Sequence, residues 1–239
     1  MNLYDLYKPI GAADIGTGWK EVPLEENNEQ IVLLDTMSDR IRIESEYYKK
    51  GIPGSIQSCY VRSTVAAMLV QASKMLPEGC SLLIYDAWRP VEVQEHLFED
   101  YVAALKKMYP NKAEDDIADL AQKFVSIPCT DLTKPSPHFT GGAVDLTIVD
   151  ENGCKIDMES DFDSFCEESH TRYYEEKLKK GLRLTLKELQ FCLNRRMLYN
   201  IMVAVGFTNY PKEWWHFDYG DQFWGYLKKQ RAFYGLISS

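Results

Sequence analysis

Ser136-Pro-His-Phe-Thr-Gly-Gly-Ala-Val-Asp-Leu-Thr-Ile148 passes from a Pro/Gly-punctuated loop into a strand. Val144, Leu146 and Ile148 alternate with Asp145 and Thr147, the period of a half-buried strand with Asp145 on its more polar face. Two apolar runs of strand length lie upstream, Gln30-Ile-Val-Leu-Leu34 and Ser81-Leu-Leu-Ile-Tyr85. An aromatic-rich stretch near 213–219 reads as a final strand. Helical periodicity falls between these segments rather than after each one. Strands and helices therefore interleave without regular β-α-β alternation, and the expected class is α+β: a single domain over residues 1–239, with a central antiparallel sheet flanked by helices.

Four helices are expected. Val65, Met68, Leu69, Ala72, Met75 and Leu76 recur at helical spacing over 63–76, with Ser63 or Thr64 as cap and Pro77 and Gly79 as terminators. Pro90 suits a helix start, and Val91, Gln94, Leu97, Phe98, Tyr101, Val102, Leu105 and Met108 share one face over 91–108. A shorter helix at 113–125 aligns Ile117, Leu120, Ala121 and Phe124. Thr185 and Glu188 have the spacing of a capping box ahead of a helix over 186–205, and Gly206 ends that helix as a C′ residue would. Residues 1–60 read as loops and short strands. The stretch after Gly220 has no assigned role.

A chain of 239 residues is long enough to bury a sizeable core without disulfide staples. It carries 27 Lys and Arg against 36 Asp and Glu, a formal charge of −9 that favours solubility. No basic block forms a phosphate-binding stripe, so nucleic acid is not an expected partner. No apolar run reaches the roughly 18 residues of a membrane span, so no membrane partner is expected either. The first residues, Met1-Asn-Leu-Tyr-Asp-Leu-Tyr-Lys-Pro-Ile10, lack the basic start and apolar run of a secretion signal, which leads to an expected cytoplasmic location. The six cysteines form no CxxC pair. Reduced thiols, most of them buried, are expected.

Two of the four histidines fall in two short patches: His138 with Asp145, and His216 with Glu213 in Glu213-Trp-Trp-His216. Together the patches hold three donors that suit zinc and one spare carboxylate. A metal hydrolase needs that inventory, since three protein ligands leave an open position and a carboxylate that does not bind the metal can move protons. Gly141 and Gly142 would let the backbone bend close to such a site. Each patch alone also has a plainer reading. A His and an Asp seven residues apart often coincide by chance, and a surface Glu can sit beside a buried His among tryptophans. Residues three apart on a regular strand face opposite sides. If Glu213 and His216 serve one site, Glu213 must therefore sit in a turn or bulge before the strand, and Pro211 makes an irregular entry plausible. His96 lies off the apolar face of its helix and reads as exposed. His170 sits in a polar stretch and is not assigned as a ligand.

Taken together, the motifs resemble those of zinc D-Ala-D-Ala peptidases. Ser136-Pro-His-Phe-Thr-Gly-Gly-Ala-Val-Asp145 is similar to that family's SxHxxGxAxD motif, and Glu213-Trp-Trp-His216 to its ExxH motif. Tyr85-Asp-Ala-Trp-Arg-Pro90 resembles a segment that carries an active-site arginine. Asp161-Phe-Asp-Ser-Phe165 and Asn194-Arg-Arg-Met-Leu198 also look familiar, and the five occur in the right order. The resemblance is strongest to the VanX-type D-alanyl-D-alanine dipeptidases and covers residues 30 to 219. It implies one zinc ion per chain, with His138, Asp145 and His216 as ligands at the sheet. It implies Glu213 as catalytic base and Arg89 as the residue that stabilises the transition state. Asp163 matches the position that holds the substrate's free amino group, and Ser136 one near its carboxylate. The implied partner is a small D,D-dipeptide. Alternative readings are a D,D- or L,D-carboxypeptidase acting on peptidoglycan peptides, and a non-catalytic zinc-containing binding domain. The physiological role is open between resistance to a cell-wall antibiotic and recycling of D-alanine.

Overall fold

Five strands form the main sheet, in the order β2-β4-β5-β7-β6. They are β2 (Ile41–Ile43), β4 (Ser81–Asp86), β5 (Ala143–Val149), β6 (Thr208–Asn209) and β7 (His216–Asp218). A separate antiparallel pair joins β1 (Ile31–Leu33) to β3 (Tyr60–Arg62). The helices are α1 (Leu3–Tyr7), α2 (Glu46–Lys49), α3 (Ser63–Met75), α4 (Val91–Met108), α5 (Glu114–Ala121), α6 (Tyr173–Lys179), α7 (Leu186–Ala204) and α8 (Gln222–Lys228). The structure is a computed structural model that describes residues 2–13, 16–122, 131–164 and 166–237.

The α+β class holds, with one correction to the sheet. β4-β5, β5-β7 and β7-β6 pair antiparallel, but β2 joins β4 in parallel. The sheet is therefore mixed. A parallel neighbour needs a long crossover rather than a hairpin. Here α2, β3 and α3 lie between β2 and β4 and supply it.

β5 is the centre of the sheet and is buried along its whole length. The expected half-buried strand is thus wrong in degree. Alternation of side-chain type is real, but both faces are covered. Val144, Leu146 and Ile148, with Phe217 of β7, join one hydrophobic cluster with Val65, Leu69 and Ala72 of α3 and Met197, Leu198, Ile201 and Met202 of α7. Each fully buried aliphatic side chain there contributes about 1.5–3 kcal/mol. Side chains alternate along strands, so Asp145, Thr147, His216 and Asp218 face the other way. The packing of α3 and α7 on one face leaves the opposite face for chemistry.

A register shift between Ile84 and Asp86 interrupts the β4-β5 ladder and sets Asp86 opposite Asp145. Bulges of this kind re-aim side chains beside functional sites. Past the bulge the chain runs through Pro90, the N-cap residue of α4. α4 and α5 pack on each other through a small core of their own, built on Leu105, Ile117 and Ala121.

Most expected helices match closely, including α4 over 91–108. The helix expected at 113–125 is α5, Glu114–Ala121; Phe124 lies outside the described residues. The capping of α3 differs. Neither Ser63 nor Thr64 serves as cap; the Glu29 carboxylate accepts from the Thr64 amide and from Ser63 Oγ (2.8 Å). A residue some 35 positions away in sequence performs the role assigned to a local hydroxyl. The cysteines also differ from expectation. Cys59 and Cys192 are buried, Cys80 and Cys166 half-buried and Cys154 exposed; Cys129 lies outside the described residues. All five described thiols are free. No helix among the described residues is long and apolar enough to cross a membrane.

The capping box of α7 forms as the sequence suggests. The Glu188 amide donates to Thr185 Oγ1 at 3.2 Å, and the Thr185 amide donates to Glu188 Oε2 at 2.8 Å. Loss of one such cap costs about 1 kcal/mol. Thr185→Ala should lower the unfolding free energy extrapolated from urea denaturation by that amount, and with it the midpoint, at unchanged m-value, while Thr185→Ser should restore both.

Candidate active site

Asp145 and His216 are direct cross-strand partners in the β5-β7 ladder. Neighbours in that register have adjacent side chains on one face. His216 Nδ1 lies 2.9 Å from Asp145 Oδ1. His138 enters from the short 3-10 turn Pro137–Thr140 that leads into β5. Its Nε2 lies 3.2 Å from Asp145 Oδ2 and 3.2 Å from His216 Nδ1. All three side chains are buried, and their donor atoms lie within 4.8 Å of one another.

Two glycines make this approach possible. Gly141 has φ +70°, a left-handed conformation that closes the turn after His138. A Cβ on Gly142 would run into the Tyr219 carbonyl oxygen. That close approach lets the Tyr219 amide donate to the Gly142 carbonyl at 3.0 Å and hold β7 against the turn.

The remaining ring nitrogens are also engaged. His138 Nδ1 lies 2.8 Å from the Ala87 carbonyl oxygen, which accepts only if that nitrogen carries the proton. His216 Nε2 lies 2.7 Å from Asp218 Oδ1. Both rings are thereby oriented with one nitrogen turned toward Asp145. Asp218 lies two residues beyond His216 on the same strand and hence on the same face. Sequence reasoning missed it, although that spacing was the signal.

Glu213 lies in the turn before β7, as the spacing argument required. Its amide donates to the Tyr210 carbonyl at 3.0 Å, and the His216 amide donates back to the Glu213 carbonyl at 3.3 Å. This turn brings Glu213 Oε2 to 4.0 Å from His216 Nδ1. Withdrawal from solvent pushes the Glu213 carboxyl up to about 7.

Arg89 follows the β4 bulge. Its backbone amide donates to the His138 carbonyl at 3.2 Å. Its Nε donates to Asp86 Oδ2 at 2.8 Å, and its Nη1 to Gln94 Oε1 at 2.5 Å. Nη2 lies 3.3 Å from Tyr47 Oη and 3.6 Å from Asp145 Oδ2. The guanidinium thus forms an ion pair at a strand end and also reaches the His–Asp cluster. Burial works against ionisation of Asp145, but the imidazoles of His138 and His216 hold its carboxyl well below the usual range. Burial likewise opposes the His216 cation, and Asp218 and Asp145 together raise it well above its ordinary value.

Asp163 adopts φ +60° and meets Tyr47 Oη at 3.3 Å and Lys50 Nζ at 3.6 Å. Burial, then the nearby Asp145, pushes its carboxyl up to about 6. Ser136 is buried at the start of the His138 turn. Phe165 of the same quoted motif lies outside the described residues. His96 is half-buried beside Glu99, not fully exposed as expected. His170 is exposed. Arg195, from another quoted motif, is buried and donates to the carbonyls of Met158 and His170, so it secures loops rather than the site.

All seven residues singled out from the sequence line one cavity of about 450 Å³. Tyr47, Gln94, Tyr210, Trp19 and Phe223 line it as well. Trp19, Tyr47 and Phe223 were not assigned to the site because they come from distant segments, and Gln94 because its spacing reads only as a helix face. Phe223, on α8, gives the unassigned C-terminal stretch a place at the cavity wall.

Comparison with known proteins finds relatives that span most of the chain. A D-alanyl-D-alanine dipeptidase of Synechocystis sp. is 28% identical over 234 residues, covering 90% of this chain and 95% of the relative. One of Escherichia coli is 30% identical over 157 residues, covering 66% of this chain and 64% of the relative. Among solved structures, VanYB in complex with D-alanine-D-alanine gives a TM-score of 0.41 at 17% identity, over 73% of this chain and 81% of that one. A likeness that low has no bearing on the reaction. The peptidase M15 family described as D-ala-D-ala dipeptidase matches residues 27–234. The chain therefore belongs to that family of metallopeptidases.

Proposed function

We propose that this chain hydrolyses the peptide bond of D-alanyl-D-alanine, or of a closely similar D,D-dipeptide, using one zinc ion held by His138, Asp145 and His216. The observation that carries the reading is the convergence of three buried donors, with Glu213 and Arg89 beside them, in one cavity. The names of the curated relatives support the substrate.

The donor set fits zinc. Tetrahedral donors at 2.0–2.2 Å from a metal lie about 3.3–3.6 Å from one another. The two imidazole nitrogens stand 3.2 Å apart, within a few tenths of an ångström of that, and each meets a different oxygen of Asp145, at 2.9 and 3.2 Å. Each histidine also has its second nitrogen against a carbonyl or carboxylate, as metal-bound imidazoles usually do. Three protein ligands leave a position open for substrate or water. A zinc ion held there would polarise the scissile carbonyl and acidify the attacking water.

The chain's own residues supply the rest. Glu213 Oε2 takes the proton from the attacking water and returns it to the leaving amine. A carboxyl poised near neutrality suits both transfers. The Arg89 guanidinium, fixed by Asp86 and Gln94, faces the negative charge that develops on the carbonyl oxygen. Asp163 accepts the substrate ammonium, with Tyr47 Oη beside it. Ser136 lies toward the substrate carboxylate. One hydrophobic core joins residues from Leu6 to Tyr234, which supports reading the chain as a single catalytic domain.

Glu213→Ala should keep stoichiometric zinc and lose about 10²–10⁴-fold in kcat. His138→Ala and His216→Ala should lose the metal by elemental analysis, and full occupancy in both would refute the ligand set. Asp218→Ala should keep the three donors but weaken zinc binding about 10–100-fold in a chelator competition, because it removes the acceptor that orients the His216 ring. D-alanyl-D-alanine should be cleaved faster than its N-acetyl derivative. Equal or faster cleavage of the acylated form would instead favour the carboxypeptidase reading, since Asp163 would then have no ammonium to meet.

A further inference from the structure

The turn that carries Glu213 is held at both ends by one side chain. Asn209 closes β6, directly across the ladder from Phe217 of β7, and is 5% exposed. Its Nδ2 donates to the Glu213 carbonyl at 3.0 Å and to the His216 carbonyl at 2.8 Å. A primary amide nitrogen has two hydrogens, and both are used here. Its Oδ1 accepts from Thr171 Oγ1 at 2.7 Å. The reverse orientation of the amide would set its oxygen against two carbonyl oxygens, so the network fixes which way round it sits.

Trp214 and Trp215 bury their rings in the main core and anchor the middle of the turn. What they leave open is the tilt of the peptide unit that joins Glu213 to Trp214. That unit is planar, so contacts at its two ends fix it as a whole. The Trp214 N–H end donates to the Ser169 carbonyl at 3.0 Å. The Glu213 C=O end accepts from the His216 amide at 3.3 Å and from Asn209 at 3.0 Å. The first of these is long for an N–H···O bond, and the second lies in the ordinary range. Without Asn209 the carbonyl end keeps only the long bond, and the plane can rock about its N–H contact. Such rocking swings the Glu213 side chain with it.

We infer that Asn209, oriented by Thr171, is a positioning residue that fixes the Glu213–Trp214 peptide plane and thereby the aim of the Glu213 carboxylate in the cavity. This rests on Glu213 as the base of the dipeptidase reading above. Asn209 does not line the reaction cavity, so it acts only through the turn. A displacement of about 1 Å in a reacting group can cost about 100-fold in rate. The fold itself does not depend on the contact, since both carbonyls keep a backbone partner, His216 N for Glu213 and Tyr210 N for His216.

The test uses zinc-loaded Asn209→Ala and Asn209→Asp proteins with D-alanyl-D-alanine. The aspartate keeps the size of the side chain and the acceptor for Thr171, but its carboxylate has no hydrogens for the two carbonyls. Both variants should keep stoichiometric zinc and KM within about twofold, and lose about 10–100-fold in kcat. In the Glu213→Ala background, Asn209→Ala should change the residual rate by less than about twofold, because residues that act as a unit are not additive. Thr171→Val should lower kcat by a smaller factor, and Thr171→Ser should restore it. Hydrogen exchange gives a readout without turnover. In Asn209→Ala the amides of Glu213 and His216 should exchange about tenfold faster or more, while those of the β4-β5 ladder keep their rates. Wild-type kcat in both Asn209 variants, or a rise in KM alone, overturns the inference. So does an equal loss in the Glu213→Ala background, or loss of folding in both Asn209 variants with Thr171→Val at full kcat. If the wild-type protein cleaves no D,D-dipeptide, or Glu213→Ala stays fully active, the dipeptidase reading falls and the role in catalysis with it. Exchange at the turn then still decides whether Asn209 holds the peptide plane, and unchanged rates there refute that hold by themselves.

Discussion

A buried carboxylate set directly across the sheet from an imidazole fixes the geometry of this protein. Asp145 is 2% exposed, on the central strand, and held as the anion. A charge in that position is tolerated only with partners, and removal of one partner from such a pair typically costs about 3–5 kcal/mol. His216 answers it from the neighbouring strand, His138 from the preceding turn and Arg89 from beyond the β4 bulge. The bulge matters here, because it sets Asp86 opposite Asp145 and so puts two carboxylates side by side. The Arg89 guanidinium reaches both and relieves their repulsion. The donor cluster and the fold thus impose the same requirement: cations must gather at one point on the sheet face away from α3 and α7.

Glu213 and His216 show why a strand periodicity argument can reach into the site. Three-residue spacing is incompatible with one face of a regular strand, and the chain resolves this with a turn whose backbone bonds run from Tyr210 to Glu213 and from Glu213 to His216. That much was legible, because it follows from local geometry. Asp218 was legible by the same rule and was overlooked. The half-buried reading of β5 failed for a different reason. Polar residues alternate with apolar ones along it, but the strand is buried on both faces, and Asp145 on its polar side is met by His138, His216 and Arg89. Side-chain polarity records chemistry there rather than exposure. The cap on α3 failed because Glu29 reaches it through the tertiary fold, and no local pattern announces that contact. The parallel placement of β2 was equally invisible, since strand direction is set by the crossover and not by the three residues of the strand.

The two walls of the cavity are built on different terms. His138, Asp145 and His216 stand on or beside the two strands at the sheet centre, among side chains that the main core holds on the reverse face. Displacement of any of them would disturb ladder bonds and core packing together. α4 and α5 instead pack through Leu105, Ile117 and Ala121, a small core separate from the main one. Substitution along the cavity face of α4 therefore touches neither the donors nor the packing beneath them. A sheet that positions the buried donors, beside a helix pair with its own core that shapes the facing wall, lets the two walls of the cavity vary independently. Gln94 is where the two meet. Its side chain belongs to α4 and holds Arg89, so the helix face can change only outward from that residue without disturbing the guanidinium.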